Sequence, residues 1–164
     1  MNVKTLAITL ALIFTGLIGG AYLSFNSSAQ QAVVSSQDAK AEQGETSLDW
    51  GEIVMNAGNA EATFTIRSKG TTPLKLFNII TSCACTTAQL SNNGTDSPLF
   101  GMHSKSDYVM ELAPGEEATL KVVFDPAYHG PSGVGPIMRT VTIETNDPAN
   151  PTLTYTLTGT VRSN

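Results

Sequence analysis

Only two cysteines and two histidines occur among 164 residues, so thiol and imidazole chemistry can rest only on Cys83, Cys85, His103 and His129. The cysteines stand in Ser82-Cys83-Ala84-Cys85-Thr86. In an extended segment, residues i and i+2 share a face. The two sulfurs are therefore expected side by side, with Ala84 pointing away. Two thiolates so placed form a soft clamp, suited to Cu(I) and, less well, to Zn(II). Further ligands would have to come from His103, His129, Met102 and Met138, all on or beside two long stretches without strand pattern. Met138 falls on the polar face of its segment, opposite Ile137, Val141 and Ile143, where a core has no use for it. Thiolate, imidazole and thioether together favour copper over hard cations.

Two other readings of the pair stay open. One is a labile disulfide that exchanges with thiols of exported proteins. Extended Cα atoms two residues apart sit near the ~6.8 Å upper limit for a bridge, which would strain it. The other is structural, since cysteine is a small and often buried residue. The domain would then serve adhesion or assembly by binding another exported protein.

Little else suggests a reaction. No Gly-x-Ser-x-Gly elbow is present. The glycine-rich run Gly130-Pro131-Ser132-Gly133 has no lysine or helix signal after it, so it is not a phosphate cradle. Asp125-Pro126 and Asn146-Asp147-Pro148 read as turns. The expectation is a non-enzymatic module.

Charge narrows the partners. The chain has 9 basic and 14 acidic residues, a net charge of −5. Residues 1–29 hold one cation, Lys4, and no acid, so the remainder carries 8 basic and 14 acidic residues. Nothing there attracts nucleic acid or anionic lipid. Residues 6–23 form an uncharged apolar run behind Lys4, as in an export signal or an N-terminal membrane anchor. The expected division is a leader over residues 1–25, with cleavage near Ala29 as the alternative to anchoring, and a flexible spacer over residues 26–47. A folded domain would then fill residues 48–164, outside the cytoplasm in the periplasm or at the cell surface. The membrane would be met only through the leader.

The elements that must hold the cysteines are strands. Apolar residues alternate in Ala118–Phe124, Ile137–Thr145 and Thr152–Gly159, the last reading Thr-Leu-Thr-Tyr-Thr-Leu-Thr-Gly. Turn residues punctuate these runs at Lys69-Gly70, Pro114-Gly115 and Asp125-Pro126. About seven short strands in ~115 residues predict an all-β, immunoglobulin-like antiparallel sandwich.

Several motifs in order carry a resemblance: Asp49-Trp50-Gly51-Glu52-Ile53-Val54, Ser82-Cys83-Ala84-Cys85-Thr86, Ala113-Pro114-Gly115, Val123-Phe124-Asp125-Pro126, Thr145-Asn146-Asp147-Pro148 and Thr158-Gly159-Thr160-Val161. Over residues 48–162 the chain resembles a bacterial exported family of unknown function, numbered 1573. Its sandwich is similar to Hydin-type and major-sperm-protein domains. Ala84 stands where that family usually has glycine. The resemblance implies the fold and supplies no activity.

Overall fold

The computed structural model of the chain describes residue 2 and residues 33–163. The expected leader, its apolar run 6–23 and the cleavage site near Ala29 lie outside the described residues. Among the described residues, no helix is long and apolar enough to cross a membrane.

Two five-stranded sheets face each other as an immunoglobulin-like sandwich. The first runs β1 (Ala41–Gln43), β3 (Ala60–Ser68), β8 (Glu117–Phe124), β5 (Thr86–Asn92) and β6 (Thr95–Asp96). The second runs β2 (Ser47–Val54), β10 (Thr152–Arg162), β9 (Gly135–Thr145), β4 (Leu74–Thr81) and β7 (Val109–Leu112). The described strand pairings are antiparallel, save that β2 lies parallel to β10. The expected all-antiparallel sandwich of about seven strands is thus amended at one edge and by three short or edge strands.

The period-two pattern does what it predicts. Leu153, Tyr155 and Leu157 are buried together with Leu120, Val122, Val141 and Ile143, while the alternate threonines of β10 face outward. Phe64 and Tyr155 pack ring against ring, 4.9 Å between centroids, in the middle of the core. Burial pushes the Tyr155 hydroxyl up to about 12, and the Gln43 side chain opposes this. Yet neither Gln43 Nε2 nor the Tyr155 hydroxyl meets a partner at full hydrogen-bond geometry.

The pattern breaks once, in β4. The register on β9 slips between Phe77 and Ile80, and Asn78 takes a φ of 48°. Leu74 and Leu76 face the core before the bulge, and Ile79 and Thr81 face it after. A bulge of this kind switches the parity of the strand. Without it, Ile79 and Thr81 would point to solvent and the chain would enter the Cys83–Cys85 segment turned over.

The sandwich also begins earlier than expected. Residues 41–43 pair with β3, and Ala39 is fully buried, so the spacer expected over residues 26–47 is corrected for its last part. The cause is polar. Asp147 accepts hydrogen bonds from the amides of Ala41 (2.9 Å) and Ala149 (2.8 Å) and from Asn150 Nδ2 (2.9 Å). Asn146 Oδ1 accepts from the Lys75 amide, and its Nδ2 donates to the Pro73 carbonyl. Gly70 is what lets the incoming chain lie close, since a Cβ there would stand 2.1 Å from the Asp38 carbonyl oxygen. The Asn-Asp-Pro motif is therefore a buried knot between β1, β4 and the β9–β10 turn, more than a simple turn.

Two outcomes follow from these contacts. Burial alone would raise the Asp147 pKa, but its hydrogen bonds from Ala41, Asn150 and Ala149 outweigh that and hold it below its ordinary value. A folded-state pKa below the unfolded one gives stability that is complete above the unfolded value and lost as pH falls through the folded one. Asp147→Ala should cost about 2–3 kcal/mol at neutral pH and flatten the acid limb below about pH 4, read by urea unfolding at stepped pH. Tyr155→Phe removes a buried hydroxyl that lacks a full hydrogen bond, so the unfolding free energy read by urea titration should stay within about 1 kcal/mol of the parent or rise.

Candidate functional site

The Cys83–Cys85 segment is the turn that joins β4 to β5. The Thr86 amide donates to the Cys83 carbonyl at 3.1 Å, closing it. The expected extended segment with two parallel thiols is corrected here. Folding into a turn brings the two Cα atoms to 5.2 Å, and the sulfurs are joined in a disulfide with an S–S distance of 2.07 Å. Neither cysteine is free.

The turn is held on three sides. The buried Thr81 hydroxyl lies 3.0 Å from both the Cys83 and Thr86 carbonyl oxygens. The Asp125 amide donates to the Cys85 carbonyl at 2.9 Å, which fixes the turn to the end of β8. Ser82 clips it to β9, its amide donating to the Thr140 carbonyl while its Oγ accepts from the Thr140 amide, both at 2.9 Å. These bonds are backbone-directed, so they position the sulfurs without using them.

The two sulfurs meet different surroundings. Cys85 is 3% exposed and belongs to a small apolar cluster at this end of the sandwich, with Ile53, Met55, Phe124 and Val161. Cys83 is only partly buried at the rim of that cluster. The Cys85 amide donates to Cys83 Sγ at 3.2 Å. His129 Nε2 lies 3.5 Å from Cys83 Sγ on the exposed side.

His129 reaches that place through the β8–β9 loop. Asp125 Oδ1 accepts from the Ala127 amide at 2.9 Å, and the Gly130 amide closes a turn on the Ala127 carbonyl at 2.9 Å. A single 3-10 turn, Gly130–Gly133, follows, and the Ser132 hydroxyl donates to the His129 carbonyl at 2.7 Å. Gly130 adopts a φ of 55°, and a Cβ on Gly133 would crowd the His129 Cβ at 3.1 Å. The glycine-rich run thus shapes the loop that presents the imidazole. The Tyr128 ring supports it edge-on at 5.0 Å.

Arg139 approaches from the other side. Its Nε donates to Cys85 Sγ at 3.2 Å, and its Nη1 donates to the Met138 carbonyl at 2.8 Å. The guanidinium lies over the Phe124 ring, 5.4 Å from the centroid, and Phe124 stacks in turn on Trp50 at 5.7 Å. The Trp50 indole donates to the Glu61 carbonyl at 2.9 Å, which locks the stack to β3. Burial lowers the pKa of Arg139. Among the described residues, no carboxylate lies within ion-pair distance of it.

Of the six expected ligands, the fold gathers three. Cys83, Cys85 and His129 put their ligand atoms within 4.8 Å of one another. His103 does not join this group; it is exposed on the stretch between Phe100 and β7. Met102 is 39% exposed on the same stretch, and Met138 is 64% exposed on the outer face of β9. The stretch leading to Met102 and His103, expected to lack strands, in fact contains most of β5, all of β6 and the buried Phe100, which bridges to Ala88. Arg139 was not among the expected site residues. Its signal was present, because it occupies the inward register of Ile137, Val141 and Ile143.

Residues 41–97 match the family described as protein of unknown function DUF1573, the family that the motifs resemble. No curated protein matches the chain. Among solved structures, a protein of unknown function from Porphyromonas gingivalis W83 is similar, with 24% identity and a TM-score of 0.57. The match covers 79% of this chain and 50% of that one, so the chain spans half the length of that protein. The ASH/PapD-like domain 7 of human CEP192 is similar at 16% identity and a TM-score of 0.50, over 82% of this chain and 93% of that one. Both likenesses concern the fold.

The scaffold of the turn can be tested apart from its chemistry. Thr81→Val takes the hydroxyl from the buried Thr86 carbonyl, while the Cys83 carbonyl keeps the Thr86 amide, and should lower the unfolding free energy by about 1–3 kcal/mol, read by denaturant titration with the disulfide intact.

Proposed function

We propose that the domain is an exported, non-enzymatic module that binds Cu(I) through reduced Cys83 and Cys85 together with His129. The convergence of two sulfurs and one imidazole nitrogen within 4.8 Å carries this reading. Export, argued from Lys4 and the apolar run behind it, would put the site where soft metals must be carried between proteins.

The donor set suits Cu(I) better than Zn(II). A structural zinc site takes four ligands. Three soft donors satisfy a closed-shell monovalent ion that prefers sulfur. Charge points the same way. Two thiolates, a neutral imidazole and Cu(I) sum to one negative charge, and the Arg139 cation faces that charge from the Cys85 side. The disulfide is then the oxidised, metal-free form. Opening it takes two electrons and two protons, and the dithiol gives up the two protons when the metal enters.

A second reading is protein docking. It is favoured by β2, an eight-residue strand at the edge of its sheet, which among the described residues pairs only with β10. An open edge of that length can accept a strand from another exported protein.

Anaerobic titration of the reduced full chain with Cu(I), against a competing chromogenic chelator, separates the two. The expected result is one Cu(I) per chain, abolished by Cys83→Ser or Cys85→Ser. His129→Ala should weaken it by roughly tenfold or more, and His103→Ala should leave it unchanged. No stoichiometric uptake by a reduced, folded chain removes the metal reading and leaves docking.

A further inference from the structure

Arg139 is a half-buried cation with a sulfur as its partner in place of a carboxylate. Its guanidinium is fixed by the Phe124 face, the Met138 carbonyl and Cys85 Sγ. A neutral disulfide sulfur is a weak acceptor, so the arrangement is under-used as it stands. It would be fully used if Cys85 Sγ carried a negative charge, because charge-assisted hydrogen bonds are about twice as strong as neutral ones. The Thr86 hydroxyl, 3.6 Å from the same sulfur, adds to this.

We propose that the Cys83–Cys85 pair takes part in thiol–disulfide exchange of fixed direction, in which Cys83 is the sulfur attacked and Cys85 is the leaving group held by Arg139. The substrate class is a dithiol. Access decides the first half: Cys85 is 3% exposed, whereas Cys83 lies at the rim beside His129. Arg139 decides the second, since a better stabilised thiolate leaves faster.

The step balances. A thiolate of the dithiol attacks Cys83 Sγ and forms a mixed disulfide. The Cys83–Cys85 bond breaks, and its electron pair departs on Cys85 Sγ. The second thiolate of the dithiol then attacks its own partner sulfur and expels Cys83 as a thiolate. The dithiol has lost two electrons and become a disulfide; the cysteine pair has gained them. The product is the reduced pair that the metal reading requires, but the exchange itself does not rest on metal.

The test uses the oxidised full chain with excess reduced glutathione and a chelator, quenched with N-ethylmaleimide. Fragment-ion mass spectrometry should place glutathione on Cys83 and the maleimide on Cys85. Glutathione on Cys85, or spread equally over both, overturns the proposal. Arg139→Met should slow exchange about tenfold, and Arg139→Lys, which keeps the charge, should recover most of the rate. If Arg139→Met unfolds, the Lys variant and the labelling pattern still decide. Equal rates in the parent and a folded Arg139→Met chain also overturn it. His103→Ala, outside the group formed by the two cysteines and His129, should change neither the labelling pattern nor the rate. A chain that exchanges at Cys83 yet takes up no Cu(I) therefore fails only the metal reading.

Discussion

A guanidinium pressed between an aromatic ring and a sulfur closes one end of the sandwich. Arg139 sits on Phe124, Phe124 on Trp50, and Trp50 is bonded to the backbone of β3, so the stack reaches across both sheets. An arginine costs free energy to bury unless its charge is answered. Here an aromatic face, a carbonyl and a polarisable sulfur answer it in part. That leaves the end of the sandwich able to accept a negative charge. An end filled with leucine would bury the same area and have no such capacity.

The other ingredients fix this end through atoms other than the sulfurs. The turn carrying the cysteines is tied by Thr81, Asp125 and Ser82 through main-chain atoms, none of them sulfur. None of those ties uses an atom of the disulfide. The imidazole comes from a different loop, shaped by Asp125 and the glycines at 130 and 133. Asp125 serves both, its amide holding the Cys85 carbonyl and its carboxylate starting the His129 loop. The spacing of sulfur and nitrogen therefore depends on one aspartate at the end of β8.

Much of the fold was legible because a sandwich writes itself in alternation. Leu120-x-Val122-x-Phe124 and Leu153-x-Tyr155-x-Leu157 point inward as their spacing says. What escaped are the places where alternation stops being the rule. The bulge at Phe77–Ile80 inverts the parity of β4, and the residue that allows it is an asparagine at positive φ with no glycine to announce it. β1 is three residues long, too short to alternate, and its anchor is an aspartate more than a hundred residues away. For the site, the cysteine pair and His129 were visible as rare residues. Their joining as a disulfide was not, because treating the segment as extended held the sulfurs apart. Arg139 stands in the inward register of Ile137, Val141 and Ile143, but register alone does not say that a sulfur lies beside it.

The buried knot at Asn146 and Asp147 also gives the domain a polarity. The chain arrives there, through Ser36, whose amide donates to the Asn146 carbonyl, and Ala39. From that corner to Arg139 the path runs back along β9 for seven residues, about 23 Å at the usual rise per residue. Entry and sulfur thus lie at opposite stretches of one strand. The incoming chain is thus fastened by polar contacts at one corner, and the disulfide stands at the other, so the two attachments share no residue.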